Sequence, residues 1–268
     1  KAMAQDALVF VARAMSVEPV ILVGGVLSRR LSLSIVMPVW REAETIESTL
    51  AGLQWLRFPA YENGDGKHSE VIVVDGGSDD STLSLAQPLC DQVIVSEPGR
   101  AVQMNAGGSA ASGDILLFLH ADTVLPASAM DRLAEFAASD SAWGRFDVRL
   151  SGRRRLFRVI AWFMNRRSRL TGIATGDQAI FVRRSVFERL RGFARIPLME
   201  DVELSSRLKC ISRPFCIPDP VVTDSRRWQE LGPWRTVFLM WRIRWRYWRG
   251  ESPEALARLY RADVRNGS

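Results

Sequence analysis

The stretch Ile115–Thr123, ILLFLHADT, is an apolar run that ends abruptly in a carboxylate. Five consecutive apolar residues, Ile115 to Leu119, follow Gly113-Asp114 and predict a buried central strand of a parallel sheet. Ligands in such sheets settle just past the carboxyl ends of the strands. Asp122 falls there, with His120 two residues ahead of it. A hard oxygen ligand at that place suits Mg2+ or Mn2+ carrying a diphosphate. Asp122 read alone is equally a cap for a helix starting near Pro126, or a solvated loop residue.

The flanking sequence repeats the pattern. Leu33–Met37 is a strand stopped by Pro38, and Glu42–Trp55 reads as a helix with Ile46, Leu50 and Leu53 on one face. A polar loop, Phe58–Ser69, leads to the strand Glu70–Asp75, which also ends in an acid. A capped helix over Asp79–Gln87, a strand over Gln92–Val95 and a helix over Ala101–Ala111 precede Ile115. Alternating strands and helices predict an α/β class with a doubly wound, mostly parallel central sheet flanked by helices.

Beyond Pro126 the rhythm loosens. Helices are expected at Pro126–Ala138, Arg155–Leu170 and Met199–Lys209, and strands at Gly144–Leu150 and Gln178–Val182. Short late strands at Ser212–Ile217 and Val221–Thr223 precede helices at Pro233–Arg249 and Pro253–Tyr260. Residues 1–30 read as an N-terminal extension in which Met15 is a candidate natural start; residues 31–225 read as the catalytic domain, and 226–268 as a helical C-terminal extension.

The 268 residues carry 36 basic and 30 acidic side chains, a net charge of +6. The arginines concentrate in Arg145–Arg169 and Arg226–Arg249, which favours phosphates, nucleic acid or anionic lipid without choosing among them. Three cysteines without CxxC spacing argue against a disulfide framework or a zinc site and fit a reducing cytoplasm. No apolar run reaches the ~18–20 residues of a membrane span. Neither a G-x-S-x-G elbow nor a G-x-G-x-x-G turn after a strand is present, so an α/β-type serine hydrolase and a dinucleotide site are poorly supported.

Six segments in this order, VMPVWREAETI, VVDGGSDDST, GRAVQMNAG, ILLFLHADT, GDQAIFVRR and MEDVELSSRL, resemble the family 2 glycosyltransferases. More narrowly they resemble a bacterial subgroup with an HAD-type metal motif and a GRAxQMN segment, over roughly Leu31 to Tyr260. The resemblance implies a GT-A fold, a nucleotide-diphosphate sugar donor, a divalent cation and inversion at the anomeric carbon. It places Pro38, Glu42 and Asp75 on the nucleoside, with Asp75 facing the base. Asp80 matches a second acidic position that orders the loop. The DxD motif of the family aligns with His120-Ala121-Asp122, leaving Asp122 as the metal residue and His120 beside the ribose or a phosphate.

Arg100 and Asn105 flank a helix start, where a cation and free amides suit the diphosphate. Gly176, Asp177, Gln178 and Glu200 would line the acceptor side, and Asp201, at the head of an acidic helix, maps to the base. The plain alternatives are a turn former for Asp75, a first-turn helix charge for Glu42 and Asp201, and solvated polar groups for Arg100 and Asn105.

The C-terminal stretch places Trp234, Phe238, Trp241, Trp245 and Trp248 at helical spacing, with Arg235, Arg242, Arg246 and Arg249 beside them. Such a helix either lies peripherally on the cytoplasmic face of a membrane or packs its tryptophans on the core. Nothing in the motifs points to nucleic acid. The expected activity is therefore sugar transfer to an acceptor that is lipid or lipophilic. The rivals are a sugar-nucleotide pyrophosphorylase, faintly suggested by Gly24-Gly25 before Arg29-Arg30, and a nucleotide-binding or membrane-docking protein that has lost catalysis, suggested by His120.

Overall fold

A computed structural model describes residues 32–57, 69–152, 154–230 and 232–265. The N-terminal extension with Met15, Gly24-Gly25 and Arg29-Arg30 therefore lies outside the described residues, as does most of the Phe58–Ser69 loop with His68.

The first half is built on four parallel strands: β1 (Leu33–Val39), β2 (Ser69–Asp75), β3 (Gln92–Val95) and β4 (Ile115–Phe118). Between them run helices α1 (Ile46–Ala51), α2 (Gln54–Arg57), α3 (Thr82–Ala86) and α4 (Arg100–Ala110). The second half contains β5 (Thr123–Val124), α5 (Ala129–Ala138), β6 (Trp143–Leu150), α6 (Arg155–Thr171), β7 (Phe181–Arg183) and α7 (Arg184–Arg189). The chain continues through α8 (Glu200–Leu208), β8 (Phe215–Thr223), α9 (Arg226–Glu230), α10 (Pro233–Trp248) and α11 (Pro253–Arg265). The described strands form one sheet in the order β3-β2-β1-β4-β7-β6-β8-β5. It is parallel from β3 to β4 and mixed beyond, with β7 antiparallel to both β4 and β6.

The period-2 alternation of the strands divides the core between the two sheet faces. Leu33, Ile35, Met37 and Val39 of β1 pack with Ile46, Leu50, Leu133 and Phe136 on one face. Val36, Ile72, Val74 and Leu116 pack with Met104, Phe187, Leu204 and Leu208 on the other. Both faces being covered explains why these strands read as continuous apolar runs. Helix α4 lies close on β1 and β2 at Gly107, where an added Cβ would stand 2.4 Å from Val36 Cγ1 and 2.9 Å from Val74 Cγ2. That close approach fixes the N-terminus of α4 at the strand ends.

Several elements differ from expectation for local reasons. The first helix starts at Ile46 rather than Glu42, after a turn in which the Thr45 and Ile46 N–H groups donate to the Glu42 carbonyl; the Glu42 N–H is held by Thr82 Oγ1 (2.8 Å). Thr82 in turn donates to Asp80, which ties the turn before α3 and leaves that helix only five residues long. Gln178–Val182 is not continuous strand: Gly176–Gln178 is a 3-10 turn, and Ala179 leaves it at φ 44°. The two late strands are one, β8, whose Pro218 and Pro220 lack ladder donors; a register shift opposite Phe146/Asp147 accommodates them. Strand β5 and helices α7 and α9 were not expected from the sequence.

The C-terminal helices are not a detached appendage. Leu239 and Ile243 of α10 and Leu256 of α11 are buried together with Met199, the residue that precedes α8. Phe157 and Ile160 of α6 meet Trp228 and Val237, so α6 and α10 also share a packed patch.

Candidate active site

The carboxyl ends of β1 and β4 open into a cleft of about 910 Å³ whose walls are α6 and α10. At its strand-end side stand Pro38, Glu42, Arg100, His120, Asp122 and Asp177. The acidic and basic residues expected at the strand ends are thus largely brought together, and this follows from the parallel half of the sheet.

Gln103 braces this edge. Its buried amide donates to the carbonyls of Val39 (2.7 Å) and Val74 (2.9 Å), holding the ends of β1 and β2 in fixed relation. Asp75 is fully buried, and its carboxylate accepts the backbone N–H groups of Gly77 (2.9 Å) and Ser78 (2.8 Å) and the Ser78 hydroxyl. It is tied to its own turn and is not among the residues of the cleft wall. Asp80 is likewise occupied by Thr82, whose hydrogen bond holds its carboxyl below the ordinary value. Asn105 lies away from the cleft, exchanging hydrogen bonds with the backbone of Phe193 at 2.9 and 2.8 Å.

Arg100 opens α4 and reaches across the cleft edge. Its Nη2 touches His120 Nε2, and its Nε lies 3.5 Å from Glu200 Oε1. Burial opposes its charge, but Glu200, Asp201 and Asp177 outweigh that and raise its pKa. Glu200 is buried (4 % exposed). Burial pushes its carboxyl up, with Arg100 opposing, so it braces Arg100 rather than lining the cleft. His120 Nδ1 lies 3.7 Å from Asp177 Oδ1, which completes a chain of polar contacts from Glu200 to Asp177.

Asp201 accepts the Gly176 N–H on Oδ2 (2.8 Å) and the Val202 N–H on Oδ1 (2.7 Å). The head of α8 is thereby joined to the 176–178 turn. Met199 enters the helix in the left-handed region (φ 71°), as Ala179 leaves the turn, so two non-glycine residues carry backbone strain beside this contact. At Gly176 a Cβ would stand 2.6 Å from both Arg100 Nη2 and His120 Nε2, so a side chain there would push these two groups aside. Gln178 points inward, fully buried, accepting the Thr175 N–H at 3.3 Å and donating to Asn165 at 3.4 Å. Asp177 is the member of this turn that faces the cleft.

Glu42 and Asp122 share the opposite side. Burial raises the Glu42 carboxyl, a hydrogen bond from Thr45 lowers it, and the charge of Asp122 raises it again. Among the described residues no group of three or more His, Cys, Asp or Glu could cage a metal. Mg2+ and Mn2+ commonly take one or two carboxylates and fill the remaining positions with phosphate oxygens and water. Two acids that repel each other in an open cleft fit that arrangement, and Asp122 is the residue that would hold the ion.

Cleft residues that the sequence reading passed over are Arg167, Trp228, Arg244 and Tyr260. Helical spacing offered a signal for two of them. Ile160, Met164 and Arg167 lie on one stripe of α6, and Val237, Trp241 and Arg244 on one of α10. The C-terminal tryptophans are not packed on the core: Trp234, Trp241, Trp245 and Trp248 remain 57–80 % exposed, joined by Trp162 and Phe163 of α6. Among the described residues no helix is long and apolar enough to cross a membrane.

Comparison with known proteins bears on these observations. Residues 34–191 match the model of glycosyl transferase family 2. An undecaprenyl-phosphate 4-deoxy-4-formamido-L-arabinose transferase of Sodalis glossinidius (strain morsitans) is 32 % identical over 166 residues, covering 56 % of this chain and 48 % of that protein. The corresponding transferase of Enterobacter sp. (strain 638) is 31 % identical over 176 residues, covering 56 % and 47 %. The chain thus spans about half the length of the curated relatives it matches.

Among solved structures, S. aureus TarS 1-349 aligns with a TM-score of 0.56 at 18 % identity, covering 74 % of this chain and 61 % of that one. The mannosyltransferase PcManGT from Pyrobaculum calidifontis, in complex with GDP-Man and Mn2+, aligns with a TM-score of 0.55 at 24 % identity, covering 81 % and 61 %. These neighbours bear out the GT-A fold expected from the six motifs. The family model spans more than half of the chain and ends just past β7, within the sheet it helps to define, so this chain belongs to glycosyltransferase family 2.

Proposed function

We propose that the protein moves a sugar from a nucleotide-diphosphate sugar to a lipophilic acceptor, with inversion, in the cleft at the ends of β1 and β4. The observation that carries this reading is the convergence of Arg100, His120, Asp122 and Asp177 at that strand edge, opposite an apolar wall. Pro38 and Glu42 would receive the nucleoside and Arg100 the diphosphate, where a guanidinium and the N-terminus of α4 both favour negative charge. A divalent ion on Asp122 would neutralise the departing diphosphate. Asp75 would act on the base only indirectly, by shaping the turn after β2.

An inverting transfer needs one base on the acceptor side of the sugar. Asp201 is the candidate from motif position, and its bond to Gly176 ties it to the turn that carries Asp177. A specific observation favours a second reading, with Asp177 as base: its carboxylate lies on the cleft wall, while Asp201 stands behind it.

The undecaprenyl-phosphate named for both relatives, together with the apolar wall here, supports a lipid-linked acceptor. The exposed aromatic face of α10 supports peripheral docking on a membrane that presents it. The first test is metal-dependent release of nucleoside diphosphate from a panel of nucleotide sugars, with thermal shift recorded in parallel. A requirement for pyrophosphate would indicate the pyrophosphorylase instead. Absence of both release and thermal shift would leave the non-catalytic reading.

A further inference from the structure

Arg167 presents two guanidinium nitrogens, Nε and Nη2, that are buried and lack any hydrogen-bond partner. Its neighbour across the cleft is Arg244. No ion pair within 4.0 Å joins either arginine to a described carboxylate. Burial, and then the charge of Arg244, lower the Arg167 pKa to about 10; burial also lowers that of Arg244, with Asp201 and Asp177 opposing at longer range. Arg244 is partly exposed on the cleft, so the cost falls on the buried Arg167 nitrogens, and proteins keep such groups where a ligand supplies the missing charge.

The surroundings describe that ligand further. Each arginine ends an apolar stripe on its helix: Leu156, Ile160 and Met164 lead to Arg167 on α6, and Val237 and Trp241 lead to Arg244 on α10. The stripes meet at Ile160 and Val237 and together line the cleft, reaching the surface at Phe163, Trp234 and Phe238. The pair also lies within the field of Asp177 and Asp201, the two candidates for the base. A ligand seated here would have an acidic head beside those carboxylates and an apolar chain running outward.

We propose that Arg167 and Arg244 seat the acidic head group, phosphate or carboxylate, of a single-chain amphiphilic acceptor whose apolar tail lies along the cleft wall that α6 and α10 form. This rests on the glycosyl-transfer reading for the word acceptor, but the binding itself requires neither donor nor metal. It assigns to these arginines a duty separate from that of Arg100, which faces the donor diphosphate.

The experiment measures binding to the full chain, without donor, of decyl phosphate, decanoate, decanol and inorganic phosphate. Each amphiphile is kept below its micelle concentration and followed by tryptophan fluorescence and thermal shift. Decyl phosphate or decanoate should bind, decanol and inorganic phosphate at least about tenfold more weakly, since a charged hydrogen-bonded pair and an apolar chain each contribute that much. The stronger of the two acids tells phosphate from carboxylate.

Arg167→Gln and Arg244→Gln should weaken binding of the acid about tenfold or more, and Arg167→Gln should also raise the apo melting temperature, because unpaired buried nitrogens of a charged group are removed. Arg167→Lys should restore part of the binding, and the exposed Arg242→Gln should change nothing. Arginines with a purely structural duty would lower the melting temperature on substitution and leave binding intact. Equal binding of decanol and decyl phosphate would overturn the proposal, as would unchanged binding in both Gln variants. So would tight inorganic phosphate that competes with nucleoside diphosphate, which would move the pair to the donor site. Failure of the glycosyl-transfer reading is seen separately, as no response to any nucleotide sugar.

Discussion

Asp201 accepts the backbone N–H of Gly176 at 2.8 Å, so the head of α8 and the turn that carries Asp177 move as one piece. The two acids are thereby neighbours, of which Asp177 lines the cleft and Asp201 does not. Substituting each by Asn separates base from brace. The true base should lose about 10²–10⁴ in kcat with donor affinity nearly kept. If Asp201→Asn instead raises KM for donor and acceptor together at near-normal kcat, it is a brace and Asp177 is the base.

A side chain at Gly176 would press on the ends of Arg100 and His120. Gly176→Ala should displace the Arg100–His120 contact and weaken nucleoside diphosphate binding roughly tenfold, the scale of one charge-assisted hydrogen bond. Far-UV circular dichroism should be unchanged. Isothermal titration with nucleoside diphosphate checks it.

Asp122→Ala should remove the difference between nucleoside diphosphate affinity with and without Mn2+. A variant that still binds more tightly with the metal would place the ion elsewhere.

Glu42 gives a pH signature. Burial holds its folded-state pKa above the unfolded value. Its contribution to stability is thus fully present below the unfolded pKa of roughly 4.3 and is lost as pH rises through the folded value. Glu42→Gln should therefore differ little from wild type near pH 4 and become relatively more stable toward pH 7. Urea denaturation at both pH values, without donor or metal, reads this directly.

The aromatic face of α10 should bind vesicles with a weaker salt dependence than its four flanking arginines suggest. Arg235 is paired with Asp263 (2.7 Å) and Arg246 with Glu251, so much of the positive charge is answered within the chain. Sedimentation with anionic vesicles should fall in the double variant Trp245→Ser, Trp248→Ser, whose side chains lie outside the cleft lining. Recovery of the wild-type protein in the supernatant at low salt would show that the face does not dock.

The parallel half of the sheet was legible because each strand is buried on both faces, which writes an unbroken apolar run such as Val71–Val74. The strand-end position of His120 and Asp122 followed from that. Less legible were features set by tertiary contact: β5 is two residues long and pairs with β8 a hundred positions away, beyond any periodic signal. The backbone hydrogen bonds of Asp75, Asn105 and Gln178 were equally hidden, since polar side chains that bind backbone look the same in sequence as those that bind ligands. Arg167 was lost among the neighbouring arginines of α6, although its place on the stripe of Ile160 and Met164 sets it apart from them.

The two sides of the cleft have different origins in the chain. The donor edge is made by strand ends whose residues are locked by the sheet register, while the opposite wall is two amphipathic helices packed side by side. Changes on the helical wall need not disturb the strands. A lineage could therefore exchange one acceptor for another by drift in α6 and α10 alone, keeping its sugar donor, and relatives with a common first half should diverge in substrate through their last hundred residues.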